Sequence, residues 1–194
     1  MVNALEQLKL TCNQISALTD EEWNAFSAIW KPFSAKRKEQ LTLADSIEKH
    51  LYFVYEGVQR VYYFDESGRE ATIVFTYAPS FGGVLDSFLL QQNSKYYYET
   101  LTPSQFLIAD ESAVKQLMVA HKGIETLIRQ GVSFALSGVL ERLTELQCFS
   151  SEEKFKQLLK RSPHILQLVP HKYLANYIGI DATNFSKLIN KIRI

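Results

Sequence analysis

Apolar positions along this chain follow one spacing at its two ends and another in its middle. Residues 3–16 repeat at helical period. Thr19-Asp20-Glu21-Glu22 has the form of a helix start, with Thr19 or Asp20 as cap and acids in the first turn. Trp23, Phe26, Ile29 and Trp30 give that helix a buried face, and Pro32 is expected to end it. From Arg37 to Asp110 the period falls to two. Leu51–Tyr55 is strand-like, Glu56-Gly57 is a turn, and Val58–Phe64 alternates. Asp65–Gly68 is a loop before a further β-rich run, Glu70–Tyr77. Tyr96–Leu101 and Gln105–Ala109 complete the set, so the middle reads as a small barrel or roll.

After Asp110 the period returns to helical. Ser112–Ala120 predicts a short helix, and Gly123 to about Cys148 a long one without proline. Ile124, Ile128, Gly131, Ala135, Gly138 and Arg142 recur at alternating steps of four and three, a seam that could meet a twin helix. Leu127, Phe134, Leu136, Val139, Leu140 and Leu143 spread apolar surface over its other sides, so a helix buried in a monomer's core is the competing reading. Ser150-Ser151 reads as a hinge and cap before a helix from Glu152 to Arg161, which Ser162-Pro163 ends.

The last stretch, Val169–Arg193, predicts two short helices with a tight break. Pro170 suits a helix start, and Tyr173, Leu174, Tyr177 and Ile178 form an apolar stripe. Gly179 stops that helix, because the left-handed conformation of a C-terminal break suits glycine. Asp181 is a fitting cap for the next one, whose buried stripe is Phe185, Leu188, Ile189 and Ile192. The opposite face carries Ala182, Thr183, Ser186, Lys187, Asn190 and Lys191. Two helices, a glycine turn and a small-polar-basic outer face make a helix-turn-helix pattern, with side chains that can contact phosphates and base edges. An ordinary helical hairpin with a solvated face is the plainer alternative.

Charge changes the picture more than bulk composition does. The formal net charge over 194 residues is zero. From Ser150 onward, however, eight basic residues face three acidic ones, a balance of +5 that leaves −5 for the rest. A basic segment on an acidic body suits a polyanionic partner. Two cysteines, Cys12 and Cys148, make no disulfide framework or four-thiolate metal set. The N-terminus lacks the layout of a signal peptide, and no run is long enough for a membrane span, so a cytoplasmic location is expected. His50, His121, His164 and His171 are not clustered on the strand segments, which argues against a metal-dependent β-roll enzyme. No nucleophile–base signature stands out, so no catalytic residue is assigned. Phe81-Gly82-Gly83-Val84 before a short apolar helix is a candidate anion cradle, with a plain turn closing the roll as its alternative.

The order of these parts resembles the Crp/Fnr family of bacterial transcription regulators. The residues that carry the resemblance are L-Y-F-V-Y-E-G-V-Q-R-V-Y-Y at 51–63, F-G-G-V-L-D-S-F at 81–88 and V-P-H-K-Y-L-A-N-Y-I-G-I at 169–180. The D-S-F-L-L-Q-Q-N-S block looks like a divergent branch common in Bacteroidetes. The resemblance implies an α+β chain: a cyclic-nucleotide-binding-like β-roll, or jelly roll, with flanking helices over 1–148, whose long helix at about 123–148 joins a homodimer. A helix-turn-helix DNA-binding domain over 149–194 follows, and with the sequence ending at Ile194 no terminal wing is expected.

The partner implied is double-stranded DNA. Base edges would be read from Ala182, Thr183 and Lys187, with Asn184, Ser186, Asn190 and Lys191 on the same helix. Lys187 stands where the family usually has Arg, which gives up the bidentate fork for guanine. The ligand pocket would lie at Gly82, Gly83, Val84, Lys95 and Tyr96. Gly83 occupies the position of the family's ribose-binding Glu, and Lys95 and Tyr96 that of its phosphate-binding Arg and Ser/Thr. Cyclic AMP is therefore not expected to bind, no cofactor is assigned, and any small-molecule effector is left unnamed. A ligand-sensing or protein-interaction roll with a vestigial helix-turn-helix is the alternative function.

Overall fold

The computed structural model describes residues 4–191. Ile192 and Arg193, counted above in the last apolar stripe and the basic segment, lie outside the described residues.

Helices α1 (Ala4–Ile15) and α2 (Asp20–Ala28) open the fold. Thr19 caps α2 in a reciprocal box: its hydroxyl accepts from Glu22 N–H, and the Glu22 carboxylate accepts from Thr19 N–H. Eight strands follow: β1 (Lys31–Ala35), β2 (Gln40–Thr42), β3 (His50–Glu56), β4 (Val58–Phe64), β5 (Glu70–Tyr77), β6 (Ser80–Gly82), β7 (Tyr97–Thr100) and β8 (Ser104–Asp110). They form two four-stranded sheets in the orders β1-β8-β3-β6 and β2-β7-β4-β5. Helix α3 (Leu85–Leu90) lies between β6 and β7 in sequence, and α4 (Glu111–Ala120), α5 (Lys122–Cys148) and α6 (Ser151–Arg161) follow β8. Next come α7 (Ile165–Leu168), α8 (His171–Tyr177) and α9 (Ala182–Lys191).

Three strands and one helix were not legible in the periodicity. Pro32 does not merely follow a helix; it lies inside β1, paired with Leu107. An edge strand tolerates it, since the missing N–H interrupts no ladder on the open side. Strands β2 and β6 have three residues each and helix α7 four, too few to display a period. Gly57 links β3 to β4 at φ +94°, and a Cβ there would stand 2.7 Å from the Pro103 carbonyl oxygen, so the turn requires glycine.

The chain forms two compact units. The first runs to Val61 and from Phe75 to Ala135; the second comprises Tyr62–Val74 and the chain from Leu136 onward. The core of the first contains Leu8, Phe26, Phe53, Leu107, Ile124 and Leu127, with Cys12 among them. Burial pushes the Cys12 thiol up to about 12, so it packs as a small apolar group. Inside the roll lies a polar lattice. Buried Arg60 pairs with Glu99 at 2.6 Å, Lys38 reaches the same carboxylate at 3.1 Å, and the Thr76 hydroxyl meets that of Tyr98 at 3.0 Å.

Helix α5 narrows the seam read from spacing. Ile124 is wholly buried and Arg142 is bonded within its own chain, so these two positions are not free to face a partner. The exposed apolar residues on this helix are instead Phe134 at 62%, Leu136 at 57%, Val139 at 48%, Leu140 at 53% and Leu143 at 48%. Ala135 and Gly138 of the spacing-read row are exposed as well, so burial takes Ile124 out of the row but does not divide the two sets.

Candidate nucleic-acid interface

The C-terminal segment builds its own small core. Phe155 and Phe185 are fully buried and meet edge to face with ring centroids 5.3 Å apart, and His171 stands 5.7 Å from Phe185. Leu158, Leu174, Ile178 and Leu188 are also buried. Ser150 caps α6 in a reciprocal box with Glu153. Pro170 precedes α8 as its cap residue, one position before the first helical turn. Gly179 takes φ +66° between α8 and α9, and a Cβ there would lie 3.1 Å from Leu146. Asp181 then starts α9: its carboxylate accepts Asn184 N–H at 2.8 Å and its carbonyl accepts Phe185 N–H at 3.0 Å.

This core fixes which side of α9 faces outward. Phe185 and Leu188 lie underneath, while Ala182, Thr183, Ser186, Lys187, Asn190 and Lys191 are exposed. They are the six residues that the sequence places on the outer face. Lys187 has no salt-bridge partner among the described residues. Lys191 pairs with Glu152 at 2.6 Å, and Lys156 holds the same carboxylate at 2.8 Å. Bonds from these two lysines pull the Glu152 carboxyl down to about 2. The Ser186 hydroxyl donates to the Ala182 carbonyl at 3.0 Å. Asn184 differs from the rest: it is half-buried, and its side chain donates to Ser151 at 3.2 Å. Its amide braces α9 against the start of α6.

A support missed by sequence reasoning lies beneath the turn. The Asn176 side chain accepts Thr72 N–H at 2.6 Å and donates to the Glu70 carbonyl at 2.7 Å, as a neighbouring strand would. Arg142 donates to the Thr72 carbonyl at 2.9 Å and the Tyr177 carbonyl at 2.8 Å, and it also bonds the Ile73 carbonyl. Arg161 forms a fork with Glu145, with one arm at 2.9 Å. Thus the end of α8 is held by α5 and by the β4–β5 hairpin. The one sequence signal was Arg142 itself, a charged residue in an otherwise apolar and small-residue row.

The residues assigned to a ligand pocket do not share one environment. Gly82, Gly83 and Val84 are buried, Lys95 is exposed and Tyr96 is half-buried. Tyr96 N–H donates to Ser94 at 2.9 Å, and Ser94 in turn donates to the Tyr96 carbonyl at 2.7 Å, a closed local loop. The amides of the Gly-Gly turn are used internally. Gly83 N–H bonds the Tyr98 hydroxyl, and Val84 N–H donates to the buried Glu48 carboxylate at 3.4 Å. Glu48 also accepts from His50 N–H at 3.1 Å and from the Thr42 hydroxyl. Burial nevertheless raises the Glu48 pKa, with the bonds from Thr42, His50 and Val84 acting against it. Glu48 was not singled out in the sequence, because it lies 35 residues before Gly83 and belongs to no local pattern.

Solved structures share this arrangement. FixK2 from Bradyrhizobium japonicum matches with TM-score 0.77 at 14% identity, over 84% of each chain. A Crp/Fnr-family transcriptional regulator from Eubacterium rectale matches at 0.70 and 14% identity, over 90% of this chain and 83% of that one. The fold is that of the Crp/Fnr regulators. CLP from Xanthomonas campestris, a c-di-GMP-responsive global regulator, matches at 0.66 and 14% identity over 89% of this chain and 91% of its own. No family model and no curated protein sequence matches the chain. The Crp/Fnr likeness thus lies in backbone architecture. Among the described residues, no helix is long and apolar enough to cross a membrane.

Proposed function

We propose that this chain is a DNA-binding transcription regulator of Crp/Fnr type that works as a homodimer. The observation that carries the reading is the outward Thr183/Lys187 side of α9, set on a buried Phe155–Phe185–Leu188 base. A helix so mounted can enter a major groove with its N-terminal half, where Ala182 and Thr183 permit close approach. Lys187 supplies a cation that no acid of the chain neutralises among the described residues. Asn190 and Ser186 extend the polar edge, and Lys191 adds charge once Glu152 releases it. Asn184 acts by holding α9 in place rather than by touching bases.

Dimerisation follows from α5. Leu136, Val139 and Leu143 recur at steps of three and four and are about half exposed, a stripe that a second copy would cover. Two-fold pairing would place two α9 helices on one side of the assembly, about one DNA turn apart. The internal use of the Gly83 and Val84 amides favours a regulator that does not take up cyclic AMP at this turn.

Selection from a random duplex pool tests this reading. Enrichment of two-fold-symmetric sequences with half-sites about 10 base pairs apart is expected. Recovery of a pool no different from the input would overturn it. In that case the roll with a vestigial helix-turn-helix is left standing.

A further inference from the structure

The first compact unit contains a pocket of about 190 Å³ whose walls are almost entirely carbon. Its floor is made by Leu51, Phe88 and Leu127, each at least 95% buried. Its rim is made by Leu85 and Leu89 of α3 and by Ala135 of α5, and Leu89 and Ala135 are exposed. Gly131 leaves one wall open: a Cβ built there would meet nothing nearer than Ile15 Cδ1 at 4.0 Å. None of Gly82, Gly83, Lys95 or Tyr96 lines it. Phe81, the residue before Gly82, does line it, so the pocket abuts the Gly-Gly turn without including the glycines.

We infer that this pocket is a binding site for a small uncharged hydrocarbon-like molecule of roughly six to ten carbons. Size and chemistry set the class. A cavity of about 150 Å³ with Leu, Ile and Phe walls stays dry and takes up benzene. The present pocket is of that order and reaches the fully buried core, but unlike that cavity it opens to solvent at its rim. A charged or strongly polar ligand would find no partner there and would lose its hydration.

The competing occupant is a second copy of this chain. The helical positions argue against it. At about 100° per residue, Leu127, Ile128, Gly131 and Ala135 fall on one arc of α5. Leu136, Val139, Leu140 and Leu143 fall on another, centred about 115° away. Val132, which also lines the pocket, falls inside the second arc between Val139 and Leu143, so the two faces adjoin there. Pairing through the exposed stripe would thus border the pocket without filling it. The position also suits a sensor, because a ligand here would touch both α3 and the helix that carries the dimer stripe. Binding itself does not depend on the DNA-binding proposal.

The test is calorimetric titration of the full chain with benzene, with benzoate as a charged control of similar shape. Saturable uptake of one benzene per chain is expected, with at least tenfold weaker uptake of benzoate. Gly131→Leu, which places a side chain in the open wall, is expected to abolish uptake without lowering the melting temperature. Ala135→Leu is the second variant, narrowing the rim should Gly131→Leu fold poorly. No saturable uptake, or uptake untouched by both substitutions, would overturn the proposal. So would uptake that appears only on dilution to monomer, which would show that the second copy fills the pocket. A chain that selects DNA but ignores benzene would refute this proposal and leave the regulator reading intact.

Discussion

The guanidinium of Arg142 stands 4.0 Å from the centroid of the Tyr177 ring and donates to the Tyr177 carbonyl at 2.8 Å. This pairing ties the long helix to the last turn of α8, just before Gly179. The same guanidinium bonds the carbonyls of Thr72 and Ile73. Burial lowers its pKa from the ordinary guanidinium value, but an arginine stays protonated at neutral pH. The three carbonyls thus receive charge-assisted bonds.

Removing that hub should be costly. Arg142→Ala leaves carbonyls without partners and is expected to destabilise the chain by about 2–4 kcal/mol. Arg142→Lys should recover only part of this, because a single ammonium cannot fork or stack as a planar guanidinium does. Urea denaturation of the three proteins measures both effects. A loss under about 0.5 kcal/mol for Arg142→Ala, as at an ordinary surface site, would contradict the assignment.

Glu48 makes a prediction about pH. Its carboxyl is buried and its pKa is raised in the folded state, so the fold holds this proton more tightly than the unfolded chain does. Its contribution is therefore most favourable below the unfolded carboxylate value of about 4.3. It is lost as pH rises from there through the folded value. Other carboxyls, including those of Asp65 and Glu152, are lowered and slope the opposite way. The comparison must thus be wild type against Glu48→Gln. Across that window the stability of the wild type should fall relative to the variant, and a difference constant with pH would refute the account.

The exposed stripe on α5 predicts assembly. Val139→Glu puts a charge at the centre of the proposed two-fold contact, where burial without a partner is unfavourable. Sedimentation should show a dimer for the wild type and a monomer for the variant, with little change in melting of the monomer. A variant that remains dimeric would place the contact elsewhere.

The sequence carried the outer frame well, because long elements repeat. The 27 residues of α5 and the cap and break signals at Thr19, Ser150, Gly179 and Asp181 are local features that need no tertiary context. The outer face of α9 was legible for the same reason. What stayed hidden depends on residues far apart in the chain. Asn176 meets Glu70 and Thr72 across more than 100 residues, and Glu48 reaches Val84 across 36. The seam on α5 could not be narrowed from spacing, because heptad steps fit more than one face of a helix and only burial shows that Ile124 points inward. The edge-strand proline could not be told from a helix stop without knowing which strand lay beside it.

The central claim is that the Thr183/Lys187 side of α9 meets DNA. The most direct measurement is duplex-binding affinity as a function of salt for the wild type and Lys187→Ala. The account predicts wild-type affinity that falls steeply with salt, as counterion release requires. It also predicts weaker binding for Lys187→Ala, with a log–log slope reduced by about one and an unchanged melting temperature. Failure of the wild type to bind duplex DNA at low ionic strength, or identical salt curves for the two proteins, would contradict it.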